Sequence, residues 1–244
     1  AALNAAIQQV LSYLEKDPET NIPKLMDLVD KLAPEDWYSS QRAAFRRTID
    51  RKDNWYQLIM KVYELDPEVR KTFFRNFILN ASLLGSATQN ETAEREGCNV
   101  PWAILLDPTS ACNMHCTGCW AAEYGNKLNL TLEELDSIVT QGKELGTYMY
   151  IFTGGEPLVR KQDVIALCEK HSDCEFLSFT NGTLIDEDFC REMLRVKNFV
   201  PALSLEGFEE ANDGRRGPVH LVLPLHAGGR GRGARPAAHP PAAH

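Results

Sequence analysis

Apolar residues in the first hundred positions recur with the spacing of an amphipathic α-helix. Two sets share one helical face each: Leu3, Ile7, Val10, Leu11 and Leu14, and then Trp55, Leu58, Ile59, Val62 and Leu65. The Asp-Pro-Glu triplets that begin at Asp17 and Asp66 predict helix starts, because each puts a capping side chain before a proline in the first turn. We therefore predict an all-helical N-terminal module over residues 1–97. We expect its aromatic residues in the core rather than at a cofactor: Trp37, Tyr38, Trp55, Tyr56, Phe73, Phe74 and Phe77.

From residue 101 onward, short apolar runs alternate with amphipathic segments. The runs predict buried strands at residues 102–106, 148–153, 174–180 and 199–205, and the segments between them predict helices at 131–145, 161–170 and 186–197. Thr131 and Glu134 have the spacing of a capping box at the first of these helices, and Gly146 follows its end. Strands that alternate with helices predict parallel βαβ units and an α/β fold.

Polar sequence follows every predicted strand, at residues 107–119, 154–157, 181–183 and 206–207. The carboxyl ends of parallel strands meet at one edge of a sheet, where α/β proteins place their chemistry. The sequence therefore predicts an active site at this rim.

The end of the chain differs in composition from the rest. Residues 214–244 are rich in Ala, Gly, Pro, Arg and His, which cannot bury a core, so we predict a disordered low-complexity tail. The tail has five Arg and no acid, which leaves residues 1–213 with 21 basic and 34 acidic residues, a net charge of −13. An acidic body of this kind argues against nucleic acid as the main partner.

The seven cysteines suggest metal binding in a reducing compartment rather than a disulfide framework, because their number is odd and three of them lie within eight positions. The N-terminus lacks the layout of a signal peptide, and no run of about 18 apolar residues predicts a membrane span. We therefore expect a cytoplasmic protein without a membrane partner. Cys98, Cys168, Cys174 and Cys190 are scattered, and we expect them to be structural thiols.

Cys112, Cys116 and Cys119 are separated by three and then two residues. Soft thiolates suit either zinc or an iron–sulfur cluster. A structural zinc site takes four protein ligands, and no fourth is evident near this loop. Three ligands on a four-iron cluster leave one iron open, so the spacing favours a cluster, with zinc as the alternative.

This cysteine triplet after one strand, followed by Gly-Gly-Glu-Pro after the next, resembles the radical S-adenosylmethionine (SAM) superfamily. The resemblance implies a partial (β/α)6 parallel barrel with about four βα units over residues 98–213, lacking strands five and six. It also implies a 4Fe–4S cluster held by Cys112, Cys116 and Cys119. One departure is Gly118, where the family commonly has an aromatic residue near the adenine; here the aromatic residue is Trp120, after the last cysteine.

The resemblance further implies a SAM site around the ends of the later strands. Gly154, Gly155 and Glu156, followed by Pro157, match the motif that receives the SAM amino group. The remaining matches are Thr180 and Asn181 at the methionyl part, and Ser204 and Glu206 at the ribose hydroxyls.

The activity that the resemblance implies is reductive cleavage of SAM to a 5′-deoxyadenosyl radical, which abstracts hydrogen from a substrate. Its partners would be a flavodoxin- or ferredoxin-type reductant and an unknown substrate, with peptide modification or cofactor assembly expected. Two alternatives stay open. One is a catalytically inactive truncated fragment that acts as a binding module, and the other is a zinc-binding interaction protein.

Overall fold

A computed structural model describes residues 2–125 and 127–217, with side chains from residue 9 onward apart from residues 122 and 123. Residues 214–216 form the end of a helix. The rest of the predicted tail, from residue 218, lies outside the described residues.

The N-terminal module is helical, as predicted. Its elements are α1 (Ala2–Lys16), α2 (Pro18–Leu32), α3 (Ser39–Arg51), α4 (Asn54–Val62), α5 (Pro67–Phe73), a π-helical segment (Phe74–Leu84) and α6 (Gly85–Glu96). Both predicted caps are present: Asp17 accepts from the Thr20 amide at 3.2 Å, and Asp66 from the Glu68 amide at 2.9 Å. Gly97 follows α6 with φ of +65°, which favours glycine, and ends the helical run. The division of the chain near residue 97 stays a prediction.

The packing inside this module differs in part from the prediction. Leu11 and Leu14 are buried as expected. The face predicted for α4 is right for Ile59, which packs against the module's core, and wrong for Trp55, which is 69% exposed while Tyr56 is buried. The module's small core of Leu14, Ile22 and Ile49 leaves room for only a narrow stripe of the short α4. Trp37 and Tyr38 are also exposed, so the expected aromatic core is wrong for these residues.

In the described part of the α/β region, one sheet contains four parallel strands in the order β1 (Ala103–Leu106), β2 (Met149–Phe152), β3 (Glu175–Thr180) and β4 (Phe199–Leu203). The helices are α7 (Leu132–Glu144), α8 (Lys161–Lys170), α9 (Glu187–Val196) and α10 (Glu209–Arg216). The capping box of Thr131 and Glu134 opens α7 as predicted. The predicted α/β fold class, with four βα units after a helical module, is confirmed.

One face of the sheet packs against helices and forms the main core. Tyr150 and Phe152 stack on Phe176 from the neighbouring strand, with ring centroids 5.6 and 5.7 Å apart, and all three are fully buried. On the opposite face, Leu105 is 59% exposed. The sheet is therefore covered on one side by α7, α8 and α9 and partly open on the other.

The π-helical segment covers the amino-terminal end of the strands. Asn76, which is fully buried, donates to the carbonyl oxygens of Ser172 and Cys174 at 3.1 and 2.8 Å. Close by, a Cβ added at Gly85 would lie 2.4 Å from the carbonyl oxygen of Gly146, so backbone meets backbone there. The helical module thus closes the base of the sheet and leaves the opposite rim open. None of the described helices has both the length and the apolar character needed to cross a bilayer.

Candidate functional site

The loop that follows β1 carries the three cysteines, and its base is held firmly. Thr109 donates to Asn129 at 2.5 Å and accepts from the Ala111 amide at 2.9 Å. Ser110 adds backbone and side-chain bonds to Leu128 at 2.8 and 3.1 Å. These bonds fix the chain immediately before Cys112, so the direction in which the cysteine loop leaves the sheet is defined.

The second half of the loop is a tight turn. The Cys119 amide donates to the Cys116 carbonyl oxygen at 3.2 Å, which closes a four-residue turn. Gly118 has φ of +70°, the conformation that the third position of a type II turn requires, and a Cβ there would contact nothing within 4 Å. The departure at Gly118 therefore has a backbone reason. All three thiols are partly exposed and unbonded to other cysteines.

Gly154 and Gly155 press against the cysteine loop. A Cβ on Gly155 would lie 2.2 Å from the carbonyl oxygen of Ala111, and one on Gly154 would lie 2.7 Å from that of Thr109. The amides of Gly155 and Glu156 donate to these same oxygens, at 3.0 and 2.8 Å. Glycine is thus required here because the backbones of two loops touch. Within the described residues, no hydrogen bond uses the carbonyl oxygens of Gly154 and Gly155.

Glu156 is only 1% exposed, and its carboxylate is held by three donors. Leu158 and Asn181 donate through their amides at 3.0 and 2.8 Å, and the Thr180 hydroxyl donates at 2.7 Å. Pro157 follows directly and opens a short 3₁₀ turn, Pro157–Arg160. The carboxylate thereby ties the loop after β2 to the end of β3. Its contact with the SAM amino group stays a prediction.

Asn181 joins the cysteine loop to the loop after β3. Its side-chain amide donates to Asn113 at 2.9 Å, and its oxygen accepts from the Thr183 hydroxyl at 2.7 Å. Asn113 completes the ring by donating to Thr183 at 2.8 Å. Asn113 was not among the predicted site residues, although its position directly after Cys112 could have indicated it.

The residues predicted after β4 lie further along the rim. The Ser204 amide donates to the Thr180 carbonyl oxygen at 2.9 Å. The Glu206 carboxylate pairs with both Arg215 and Arg216 of α10. Hydrogen bonds from Arg216 and Arg215 hold the pKa of Glu206 below its usual range. The expected ribose contacts of Ser204 and Glu206 stay predictions.

A cavity of about 700 Å³ opens between the cysteine loop and the end of β1. Trp120 and Tyr124 meet edge to face at its wall, with centroids 5.8 Å apart, and Gly154 and Gly155 line it as well. Asp107 also faces the cavity, and desolvation raises the pKa of its carboxyl. Tyr124 and Asp107 were missed as site residues, although Asp107 directly follows β1.

The donors on this rim fit an iron–sulfur cluster. Burial raises the pKa of the Cys112 thiol, and the negative charges of Glu156, Cys116 and Cys119 raise it further, so a cationic iron core would relieve this repulsion. Among the described residues, no three His, Cys, Asp or Glu side chains converge on one metal ion. A four-iron cluster does not require such convergence, because each thiolate binds a different iron.

The other cysteines lie away from the rim. Cys168, Cys174 and Cys190 are buried, and Cys98 is exposed on the surface. Burial raises the pKa of Cys168 and of Cys174. Buried thiols of this kind behave as small apolar side chains, in agreement with the structural role expected for Cys168, Cys174 and Cys190. The exposed position of Cys98 does not support that role.

The family model described as the radical SAM superfamily matches residues 106–229, just over half of the chain. The chain belongs to the radical SAM superfamily. Proteins of this superfamily use a 4Fe–4S cluster and SAM. The matched region contains the three cysteines, the Gly-Gly-Glu-Pro turn and all the residues described above on the rim.

Curated relatives include enzymes of cofactor synthesis. An Fe-coproporphyrin III synthase of Methanosarcina barkeri is 30% identical over 119 residues, which cover 47% of this radical SAM chain and 29% of that enzyme. A GTP 3′,8-cyclase of Peptoclostridium acidaminophilum is 39% identical over 133 residues, covering 49% of this chain and 40% of that enzyme. The chain thus spans less than half the length of these relatives.

Among solved structures, SuiB of Streptococcus suis bound to S-adenosylmethionine aligns with a TM-score of 0.46 and 21% identity. The alignment covers 55% of this chain and 32% of that one.

Proposed function

We propose that this chain provides the cluster-binding and SAM-binding part of a cytoplasmic radical SAM enzyme, with Cys112, Cys116 and Cys119 as the cluster ligands. The single observation that carries the proposal is the backbone contact between the cysteine loop and the Gly-Gly-Glu turn. Gly155 and Glu156 donate to Thr109 and Ala111, so the start of the cysteine loop, beside Cys112, and the turn hold one fixed relation. A cofactor that bridges a cluster and a protein loop needs such a relation.

In this proposal the turn after β2 receives an ammonium group. The carbonyl oxygens of Gly154 and Gly155 have no partner among the described residues and are the acceptors on offer. Glu156 adds a negative charge beneath them, and its three donors keep the carboxylate from moving. Pro157 ends the turn directly after Glu156, because its ring fixes φ at the start of the following 3₁₀ turn.

The loops after β3 and β4 would hold the rest of SAM. Thr180 and Asn181 lie behind Glu156, and Asn181 is also bonded to the cysteine loop through Asn113. We propose that they orient the methionyl part, and that Ser204 and Glu206 face the ribose hydroxyls. The aromatic wall of the cavity, Trp120 and Tyr124, suits a planar ring.

When bound together and reduced, the cluster and SAM supply a 5′-deoxyadenosyl radical for hydrogen abstraction from substrate. The electron would come from a flavodoxin- or ferredoxin-type reductant. The synthase and cyclase relatives favour cofactor assembly as the reaction class, and a PqqA peptide cyclase among the relatives favours peptide modification.

The test is anaerobic reconstitution of the full chain with iron and sulfide, followed by addition of SAM and dithionite. We expect a brown protein with about four irons and four sulfides, and we expect 5′-deoxyadenosine by chromatography. Cys116→Ala should lose most of the iron and all of the product. Cys98→Ala, which removes an exposed thiol off the rim, is the matched control and should keep both.

Other results would count against the proposal in distinct ways. Zinc bound without sulfide would favour the zinc-binding interaction protein. A loaded cluster that yields no 5′-deoxyadenosine would favour the inactive fragment. Full iron content in Cys116→Ala would show that the ligands are assigned wrongly.

A further inference from the structure

Helix α10 reaches across the rim to the turn between Cys116 and Cys119. The Thr117 amide donates to the Arg215 carbonyl oxygen at 2.9 Å. In return, the Arg215 side chain donates from Nε to the Thr117 carbonyl oxygen at 3.2 Å. Both backbone groups of Thr117 are therefore bonded to one residue that lies 98 positions away.

Arg215 is itself anchored on its other side. Its Nη1 pairs with Oε2 of Glu206, on the loop after β4. A guanidinium is planar and presents its donors in a fixed fork, so one side chain can bond two acceptors in a defined relation. Arg215 thus links the turn that carries two of the cysteines to the end of the fourth strand.

This link matters because the turn has few other supports. Among the described residues, the bonds to Arg215 are the only hydrogen bonds that connect residues 114–119 to another element. The space beside Gly118 is open, and both flanking thiols are partly exposed. Without Arg215, the turn would be fixed only through Cys112 and the chain that follows Cys119.

We propose that Arg215 is a positioning residue that holds the Cys116–Cys119 turn against the β4 loop and so sets the geometry of the cluster ligands. This inference rests on the proposed function for its purpose, but the contact it describes exists in the chain without a cluster. Glu206 anchors the Arg215 side chain through the ion pair between them.

Arg216 provides a matched control. It also pairs with Glu206, donating from Nε at 3.1 Å, but within the part of the chain that the structure describes it has no hydrogen bond to the cysteine loop. Arg215→Ala and Arg216→Ala each remove a cation and a Glu206 partner from the same helix. Only Arg215→Ala also removes the side-chain hydrogen bond to the Thr117 carbonyl oxygen. The backbone bond from the Thr117 amide can form in both variants.

The first test is hydrogen–deuterium exchange on the full chain without cluster, followed in the peptide that covers residues 112–120. Loss of about one hydrogen bond should speed exchange there about tenfold in Arg215→Ala. Arg216→Ala should match the wild type. Exchange in β2 and β3 reports whether each variant is folded, and Arg215→Gln serves as a second variant if Arg215→Ala does not fold.

The second test uses the loaded protein. The electron paramagnetic resonance spectrum of the reduced cluster should change in Arg215→Ala and Arg215→Gln and stay unchanged in Arg216→Ala. Equal exchange in Arg215→Ala and wild type would overturn the inference, as would equal acceleration in both alanine variants. A wild type that binds no cluster would refute the proposed function. The exchange result would still decide whether Arg215 holds the Cys116–Cys119 turn.

Discussion

The two ends of the sheet each bury a glutamate, and the structure treats them in opposite ways. At the carboxyl-terminal rim, Glu156 is 1% exposed and accepts three hydrogen bonds. At the amino-terminal base, Glu175 is equally buried, and neither of its oxygens accepts a hydrogen bond from a described residue. Burial raises the pKa of Glu175 to about 8, and nearby Asn76 and Arg75 offset this only in part.

This difference fits a ligand site at the rim and a packing interface with the helical module at the base. A carboxylate with three donors keeps its charge in a fixed place, as a cationic ligand requires. A carboxyl without donors is stable in the interior only when it is neutral, which suits a surface that the helical module covers. The rim therefore holds a carboxylate with three hydrogen-bond donors, whereas the base buries one that accepts no hydrogen bond from a described residue.

Both ends also contain a glycine pressed against backbone, and replacing each one tests the comparison most strongly. Gly155→Ala would put a Cβ 2.2 Å from the Ala111 carbonyl oxygen, and backbone cannot move aside as a side chain can. We expect a loss of about 3 kcal/mol or more in the free energy of unfolding, measured in urea.

Gly85→Ala is the counterpart at the base, where the added Cβ would meet Gly146 at 2.4 Å. We expect a loss of similar size. Iron uptake distinguishes the two variants: in the fraction that stays folded, Gly155→Ala should bind less iron per chain, and Gly85→Ala should bind as much as wild type. Equal iron binding by both variants would show that the rim is no more important for the cluster than the base of the sheet.

The second prediction concerns pH and the base. The pKa of Glu175 is about 8 in the folded state against an ordinary value of 4.5, so the folded chain binds more protons between these values. Its free energy of unfolding should therefore fall as pH rises, by about 2.5 kcal/mol between pH 5.5 and 7.5 for this group alone. Urea unfolding of the chain without cluster, under reductant, measures the trend.

Glu175→Gln is the control for that trend, because the amide does not titrate. Subtracting its pH profile from that of the wild type isolates the contribution of Glu175 from that of every other group in the chain. Identical profiles for the two proteins would mean that Glu175 is ionised in the folded state and that the base tolerates charge.

The third prediction has the smallest expected effect and concerns the rim. In Glu156→Gln the side-chain NH₂ would face a backbone amide, so at least one of the three donors loses its acceptor. We expect a loss of about 2 kcal/mol in the free energy of unfolding, measured in urea. A variant as stable as wild type would show that the three hydrogen bonds do not hold the rim together.

Much of this molecule follows from local pattern. The strand and helix positions, the capping box at Thr131 and the cysteine spacing all involve residues that are close in sequence, where periodicity and turn chemistry act directly. The face of α4 was predicted correctly at Ile59 but not at Trp55, because which apolar side chains are buried depends on how much core the neighbouring helices supply.

The sequence by itself determined the parallel α/β plan, the helical module and the presence of three thiols beside a Gly-Gly-Glu turn. Only the tertiary structure decided how those parts are held: that Glu156 accepts three internal hydrogen bonds, that Glu175 accepts none from a described residue and that Arg215 is hydrogen-bonded to Thr117. Asn76 and Cys174, like Thr117 and Arg215, meet across 98 positions of chain. Such pairs are set by where loops and helix ends come together in space, and residue spacing carries no signal for that.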